Sequence, residues 1–472
     1  MRLFAFLSCL LVLGCGSGVG EPTTQVGGPT ARRAAAEAGP APKALEEGSD
    51  WPRFLGPTAD SVSPEKGIIA PWPAEGLRVV WQKKLAIGYG MPSISRGRLY
   101  IFDRSGDSAR LRCLKADSGE SVWKFDYPTA YSDMYGYNNG PRCCPIIDDD
   151  RVYIYGAEGM LHCVKADDGK LVWKVDTAAD FGVVQNFFGV GSTPVIEGDL
   201  LIAQVGGSPR DEKMSPDQKN NGTAVVAFDK RTGKVKYKTG DDLASYAGPM
   251  LATIDKKRWC FLFARHGLLG LDPANGKVRF HYPWKARTFE SVNASNPVII
   301  GDKVFISETY GPGSSLLRIK DDGYEVVWKD DEKARRKSMQ CHWNTPIHHD
   351  GYIYGSSGRH TQNAELRCIE LATGKVMWSE PNLTRTSLLM VDGHFICLGE
   401  DGELRLLKVN PRKYEEVSHL VLKHKGAADS NLEEGDPLLK YPCWAAPILS
   451  HGLLYLRGAD RLVCVELIRA KR

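Results

Sequence analysis

The side chains best suited to chemistry cluster in the stretches that lead into a recurring short strand. Tyr135, Tyr137, Asn138, Asn139 and Arg142 come just before the pair Cys143-Cys144, and Gln185, Asn186, Phe187 and Phe188 come before Thr193. Asn293 and Asn296 hold the corresponding place further on, followed by Gln340, His342, Trp343 and Asn344, and last by Tyr441 and Trp444. Amides and cations set among aromatic rings can form a polar pocket for a planar or anionic small ligand. The same residue types also satisfy loop backbone groups and cover the mouth of a channel, and the sequence leaves both readings open. Cys143-Cys144 carries a further option, because adjacent cysteines can close a strained ring or remain two thiols, one packed inward.

Other chemistries lack their residues. The same stretches offer few acids, chiefly Asp133, Asp180 and Glu290, and none sits in a metal or acid–base motif. There is no Ser-His-Asp signature and no metal-binding His pair; His348-His349 precede a tight turn and read as exposed. No Cys-x-x-Cys-His and no paired Cys-x-x-Cys frame is present. Cys113, Cys163, Cys368 and Cys464 share one slot of a repeat and read as small buried hydrophobes. With 61 Lys and Arg against 57 Asp and Glu, the net charge of +4 gives no footprint for nucleic acid. The run Lys333 to Lys337 follows Asp330-Asp331-Glu332 and reads as a solvated loop, while Gly206 to Gly222 reads as a mobile insertion.

Residues on such stretches need a scaffold, and the chain supplies one by repetition. The unit Pro145 to Trp173 reads as four short strands, with Val152 to Tyr155, Leu161 to Val164 and Leu171 to Lys174 separated by Asp/Gly turns. Its opening proline recurs as Pro92, Pro194, Pro249, Pro297, Pro346 and Pro447, and Ser387-Leu388-Leu389 is a copy without it. Eight copies at roughly 40–60 residue spacing predict an all-β fold, an eight-bladed β-propeller of four-stranded antiparallel blades. A closing Gly followed by an aromatic recurs as Gly119…Trp123, Gly169…Trp173, Gly233…Tyr237, Gly276…Phe280 and Gly374…Trp378, and as Gly323…Trp328 with altered spacing. The eighth copy ends without room for a fourth strand, so Leu77 to Trp81 is expected to close the last blade. Short turns such as Asp148 to Asp150 and Asp392-Gly393 belong to one face. The long segments, including Pro128 to Arg142, Ala178 to Ser192 and Lys423 to Cys443, belong to the other, which becomes the expected binding face.

The eight copies and their Gly-x-x-x-Trp endings resemble the quinoprotein-type propeller repeat. That family includes pyrroloquinoline-quinone (PQQ) alcohol dehydrogenases and the BamB-type lipoprotein of the outer-membrane β-barrel assembly machine. Trp51-Pro52-Arg53-Phe54-Leu55-Gly56-Pro57, continuing to Val62-Ser63-Pro64-Glu65, is similar to PQQ-like repeat proteins of planctomycete-type bacteria. The resemblance covers about residues 51–470 and specifies the fold far better than the function. It implies that the closing Trp docks between blades, and that a Cys143-Cys144 disulfide would echo the one covering the dehydrogenase cofactor.

The N-terminus adds a location. Arg2, the apolar run Leu3 to Leu13 and Val12-Leu13-Gly14-Cys15 read as a short secretory signal, and the ending resembles a bacterial lipobox. Residues 1–15 are therefore expected to be a signal peptide with lipidation at Cys15, residues 16–50 a disordered tether, and 51–472 the propeller. A plain signal peptide with a chance cysteine is the alternative. Gly16 favours the outer membrane over the inner. The first expectation for function is a lipid-anchored, monomeric, periplasm-facing scaffold without catalysis or cofactor. It would bind envelope proteins or a small ligand on the long-loop face, with Asn139, Arg142, Cys143, Cys144, Gln185, Asn186, Asn293, Asn296, His342, Trp343, Asn344 and Trp444 as candidates. A PQQ- and Ca²⁺-dependent alcohol or sugar oxidoreductase is the alternative, and a small-ligand sensor a third.

Overall fold

β-branched and aromatic residues alternating between Asp/Gly turns give each repeat a sheet with two apolar faces, which only neighbouring sheets can cover. The computed structural model, which describes residues 48–425 and 432–469, shows eight such sheets. Blade one runs from Ser93–Ser95 to Ser121–Pro128, blade two from Ile146–Asp148 to Leu171–Asp176, and blade three from Val195–Glu197 to Val235–Thr239. Blade four spans Met250–Ile254 to Val278–Pro283, blade five Val298–Ile300 to Gly323–Lys329, and blade six Ile347–His349 to Val376–Pro381. Blade seven spans Thr386–Val391 to Glu416–Val421, and blade eight begins at Ile448–Ser450. Within each blade successive strands pair antiparallel, and the first strands face the central channel. The leader, Cys15 and the tether up to residue 47 lie outside the described residues. No helix among the described residues is long and apolar enough to cross a membrane.

The closing aromatic and the glycine of a repeat serve different neighbours. Trp123 of blade one reaches forward, its Nε1 donating to the Ala166 carbonyl of blade two at 3.0 Å. Trp173, Trp328 and Trp378 do the same to the carbonyls of Lys230, Leu371 and Asn410 at 3.0, 2.8 and 2.9 Å. Tyr237 donates its hydroxyl to Pro273 at 2.7 Å. At Gly169, Gly233, Gly276 and Gly374 the glycine of the following blade is the seat for that ring, whereas Phe280 and Trp378 meet Tyr324 and Tyr414. A Cβ on Gly169 would lie 2.5 Å from Trp123, and one on Gly233 would lie 2.8 Å from Trp173. Both glycines have φ near +70° (+71° and +73°), so the position excludes a side chain by conformation as well as by space. A buried ring with its polar edge satisfied explains why the repeat keeps this pair.

The expected ring closure is observed. Val79–Lys84 pairs antiparallel with Arg461–Glu466 and completes blade eight. Trp81 then acts as that blade's closing aromatic, donating to Ala116 of blade one at 2.9 Å over Gly119. Blade seven lacks a closing aromatic. Trp72 is buried in the same cluster as Val417 and Leu420 of its last strand, with its backbone N–H on Ser418 Oγ at 2.9 Å.

One blade departs from four strands. Val62–Ser63 adds to blade seven as a parallel fifth strand beside Met390 and Val391. It belongs to a segment, residues 50–69, that crosses the channel on the short-turn side. Trp51 exchanges backbone bonds with Ile94 of blade one, and Pro52 accepts from Ile147 of blade two. Leu55 is buried with Trp259 of blade four and Val304 of blade five. The Glu65 carboxylate takes the N–H groups of His451 and Gly452 in blade eight, both at 2.7 Å. Leu55, Ala59 and Ser61 hold φ of 62°, 58° and 58°, a left-handed conformation unfavourable for residues with a Cβ. The surrounding bonds, among them Ser61 N to Leu55 O at 2.8 Å, enforce it. This segment is a plug, and the motif Trp51 to Pro57 is its core.

Three local expectations change. Lys337, read as part of a solvated run, is buried, with Nζ donating to the Asp331 and Glu332 carbonyls. The ends of the Gly206–Gly222 insertion are tied down: Gly206 N–H meets Thr223 O at 2.8 Å, and Asn221 Nδ2 meets the carbonyls of Phe181 and Ser208, each at 2.8 Å. His348 and His349 are half-buried rather than exposed, and burial lowers the His348 pKa.

The blade contact is testable as a pair. Trp173→Ala is expected to cost about 3–5 kcal/mol, the range for a large aromatic removed from a core, read as a lower urea midpoint. Gly233→Ala should also destabilise, and the double variant should lose less than the sum because both changes break one contact.

Candidate functional site

Seven of the eight first strands are preceded by a residue that the following proline biases toward an extended conformation, and six of these residues ring the channel. Met91, Cys144, Thr193, Gly248, Thr345 and Ala446 line it from six blades, with Ser387 and Leu388 in the copy without proline. Phe54, Leu55 and Ser61 of the plug form the floor. The channel is therefore a blind funnel of about 730 Å³, open on the long-loop face. Its throat carries no charged side chain. The Cys144 thiol is the one acid there, and burial pushes its pKa up to about 12.

Two residues above this ring, each repeat contributes a second one, three positions before its proline. In blade order these are Tyr89, Arg142, Gly191, Tyr246, Ala294, Trp343, Arg385 and Trp444, and all eight line the funnel. Aromatic members of the ring pack against one another at a tilt. Trp343 and Trp444 are 4.8 Å apart between centroids, and Trp444 and Tyr89 are 4.6 Å apart. The Arg385 guanidinium lies 4.4 Å from the Trp343 centroid and 5.6 Å from that of Trp444, and Arg142 lies 5.7 Å from Tyr89. Where the ring residue is Gly191, Tyr246 fills the space: a Cβ on Gly191 would lie 2.7 Å from it. Phe188, 5.7 Å from Tyr246, continues the aromatic wall outward to Tyr135 and Tyr137. The rim tyrosines 135, 137 and 441 are 48%, 65% and 56% exposed.

Both ring arginines are neutralised from behind. Arg142 pairs with the buried Asp133, and Arg385 with the buried Glu400 at 2.6 Å. Burial pushes the Glu400 carboxyl up, but bonds from Arg385, Trp444 Nε1 and Thr361 together outweigh it and hold its pKa below the usual range. His342 is driven down to about 3 by burial, aided by the charges of Arg385 and Arg359, so its imidazole is neutral. Its Nδ1 faces Arg385 Nη1 at 3.4 Å and must accept, which leaves the proton on Nε2, 3.1 Å from the Tyr310 hydroxyl. Arg359 stands at the rim over the Tyr310 ring, 4.5 Å from its centroid. Below Tyr310, burial raises Glu308 to about 7 against bonds from Ser291 Oγ and the Tyr310 and Gly311 amides.

The structure brings six of the twelve candidate residues to the funnel wall: Arg142, Cys144, His342, Trp343, Asn344 and Trp444. Of the other six, five have polar groups that hold backbone, and Cys143 is packed in the core. Asn139 accepts from the Asp133 N–H at 2.7 Å, Gln185 donates to the Ser132 carbonyl at 2.7 Å, and Asn186 donates to Ala244 at 3.2 Å. Asn293 donates to the Ala264 carbonyl at 2.7 Å, and Asn296 accepts from the Gly248 N–H at 2.9 Å. Cys143 is fully buried in the core between blades two and three, with Tyr153 and Phe228. The adjacent cysteines thus part company as two thiols, one in the core and one on the wall. Asp180 lies in the short helix Thr177–Phe181 beside a separate surface depression and does not approach the channel. Sequence reasoning missed Tyr89, Tyr246 and Arg385, although their distance from the proline slot marks all three. It also missed Tyr310 and Arg359, which come from turns between second and third strands and carry no such marker.

A family model described as outer membrane protein assembly factor BamB matches residues 107–380. No curated protein matches the sequence. Among solved structures, BamB from Moraxella catarrhalis is similar over 84% of this chain and 99% of its own, with 13% identity and a TM-score of 0.55. A quinohemoprotein alcohol dehydrogenase from Comamonas testosteroni is similar over 89% of this chain and 81% of its own, with 12% identity and a TM-score of 0.59. A computationally designed protein, Ika8, is similar over 86% of this chain and 100% of its own, with 10% identity and a TM-score of 0.50. At these identities the likeness is one of fold.

Glu308 gives the site a pH signature. Its folded pKa of about 7 lies above the ordinary 4.5, so its stabilising contribution is complete below about pH 4.5 and is lost as pH rises through 7. Glu308→Gln should remove that slope. Between about pH 5 and 8 the wild-type urea stability should fall by on the order of 1–3 kcal/mol more than that of the variant.

Proposed function

The chain belongs to the family of the outer membrane protein assembly factor BamB, and from that premise we propose that it is a non-catalytic binding or assembly scaffold of the cell envelope. Its partner is held on the long-loop face, over the mouth of the funnel. The observation that carries this reading is the composition of that mouth. Tyr135, Tyr137 and Tyr441 project into solvent around a ring of Trp, Tyr and Arg, the residue types that dominate binding hot spots. A rigid eight-bladed ring fixes their spacing, so little freedom is lost when a partner docks. The family's description supports an envelope protein as that partner. Lipidation at Cys15 would keep the propeller at a membrane surface, in keeping with the lipobox reading of Val12 to Cys15.

The oxidoreductase alternative meets a donor set that does not fit. Trp343 and Trp444 offer aromatic surface, though their rings are inclined to each other by 43°. A bound calcium ion, however, needs several carboxylate and amide oxygens converging on one point. At the mouth Glu400 and Asp133 are committed to Arg385 and Arg142, and the described residues hold no cluster of three or more His, Cys, Asp or Glu placed for a metal.

Capture of partners from detergent-solubilised envelopes tests the scaffold. Tyr137→Ala combined with Tyr441→Ala should weaken capture by about tenfold or more while leaving the melting temperature unchanged. Leu171→Ser, on the exposed outer strand of blade two, should leave capture intact. The reverse pattern would overturn the long-loop face as the docking surface. Cys15→Ser should release the protein from membranes into the soluble fraction.

A further inference from the structure

We propose that the funnel is also a binding site for an amphipathic anion, whose apolar body passes the aromatic ring into the throat while its carboxylate or phosphate stays at the rim on Arg359. The site is independent of any protein partner.

The polarity profile sets the ligand's direction. From the floor upward the walls are Leu55, Met91, Leu388 and Ala446, with the neutral hydroxyls of Ser61, Thr193, Thr345 and Ser387 among them and no opposite charge to pair with an ion taken out of water. A charged group at the bottom would be left unpaired, so the part that enters must be apolar. A plugged channel also admits one end of a molecule and not a segment running through. Around the waist, the Trp343, Trp444 and Tyr89 faces offer apolar contact to such a body.

The charge at the top sets the sign of the head group. A cationic head would be repelled by the guanidinium groups already set against these rings: Arg385 by Trp343 and Trp444, Arg142 by Tyr89, and Arg359 by Tyr310. Arg142 and Arg385 are paired with Asp133 and Glu400, whereas Arg359 is exposed and makes no ion pair among the described residues. Its guanidinium carbon lies 4.5 Å from the Tyr310 centroid, and a guanidinium can meet a carboxylate or phosphate with two parallel N–H bonds. Glu290, next to Tyr135, is the one carboxylate lining the rim without an ion pair among the described residues.

Calorimetric titration of the full chain carrying Cys15→Ser, kept free of detergent, tests this with dodecanoate, dodecyl phosphate and dodecyltrimethylammonium below their micellar concentrations. Both anions should bind one to one and raise the melting temperature, and the cation should bind at least about tenfold more weakly. Arg359→Gln should weaken both anions by about tenfold or more, and Ala446→Phe, which narrows the throat, should weaken them through the tail. A preference for carboxylate or phosphate distinguishes a free fatty acid from a lipid head group. Equal binding of the cation, unchanged affinity in Arg359→Gln, inorganic phosphate binding as tightly as dodecyl phosphate, or no binding of either anion would overturn the proposal. None of these outcomes bears on partner capture, so the scaffold reading stands or falls separately.

Discussion

The contact on which this molecule depends is a closing ring set on the next blade's glycine. Each sheet exposes apolar faces that have no value alone, and at five of the eight junctions the ring of one repeat is buried on a glycine of the next, where a side chain would collide. Because the donor and the seat belong to different repeats, the contact cannot form within a blade. Closure of the circle is then the only arrangement that leaves no ring uncovered, and Trp81 on Gly119 supplies the last one. Where the series fails, at blade seven, Trp72 from the N-terminal stretch covers the junction. The N-terminal residues are thus part of the architecture as well as an approach to it.

That rigid circle turns sequence position into geometry. A fixed offset from the proline slot becomes a fixed height in the funnel, so one register position yields a ring of uncharged throat residues and another yields a ring of aromatics and arginines. The chemistry of the site changes with height because the repeats differ at these two positions while agreeing at the structural ones. The buried carboxylates Asp133 and Glu400 permit arginines in the upper ring, since each holds its partner's charge at short range.

The fold was legible because its signals are local and repeated: prolines, Asp/Gly turns and Gly…Trp endings need no long-range information. The sheet order, the ring closure and the two faces follow from them. The site was half legible. Trp343, Trp444 and Arg142 stand on loops whose register was visible, but the amides Asn139, Asn186, Asn293 and Asn296 read as ligand groups and instead hold backbone, since an amide's partner cannot be inferred from its own position. Cys143 and Cys144 show the limit most sharply. One residue of chain separates a side chain in the core from one on the funnel wall, because successive residues of extended backbone point to opposite sides. The plug was out of reach altogether: Trp51 to Pro57 looked like a family marker, and nothing in it announces that it lies across the channel.

The plug also settles how the protein would bear a load. The chain joins the propeller at Asp50, whose carboxylate meets the Arg96 N–H and His451 on the short-turn side, away from the funnel mouth. Any pull arriving through the N-terminus falls first on Asp50 and Trp51, which are bonded to the edges of blades one and eight, and then on Leu55 and Val62, so those two blade edges and the floor of the funnel share the tension. Strain applied at the N-terminal side of the propeller would therefore reach the base of the funnel before its open mouth.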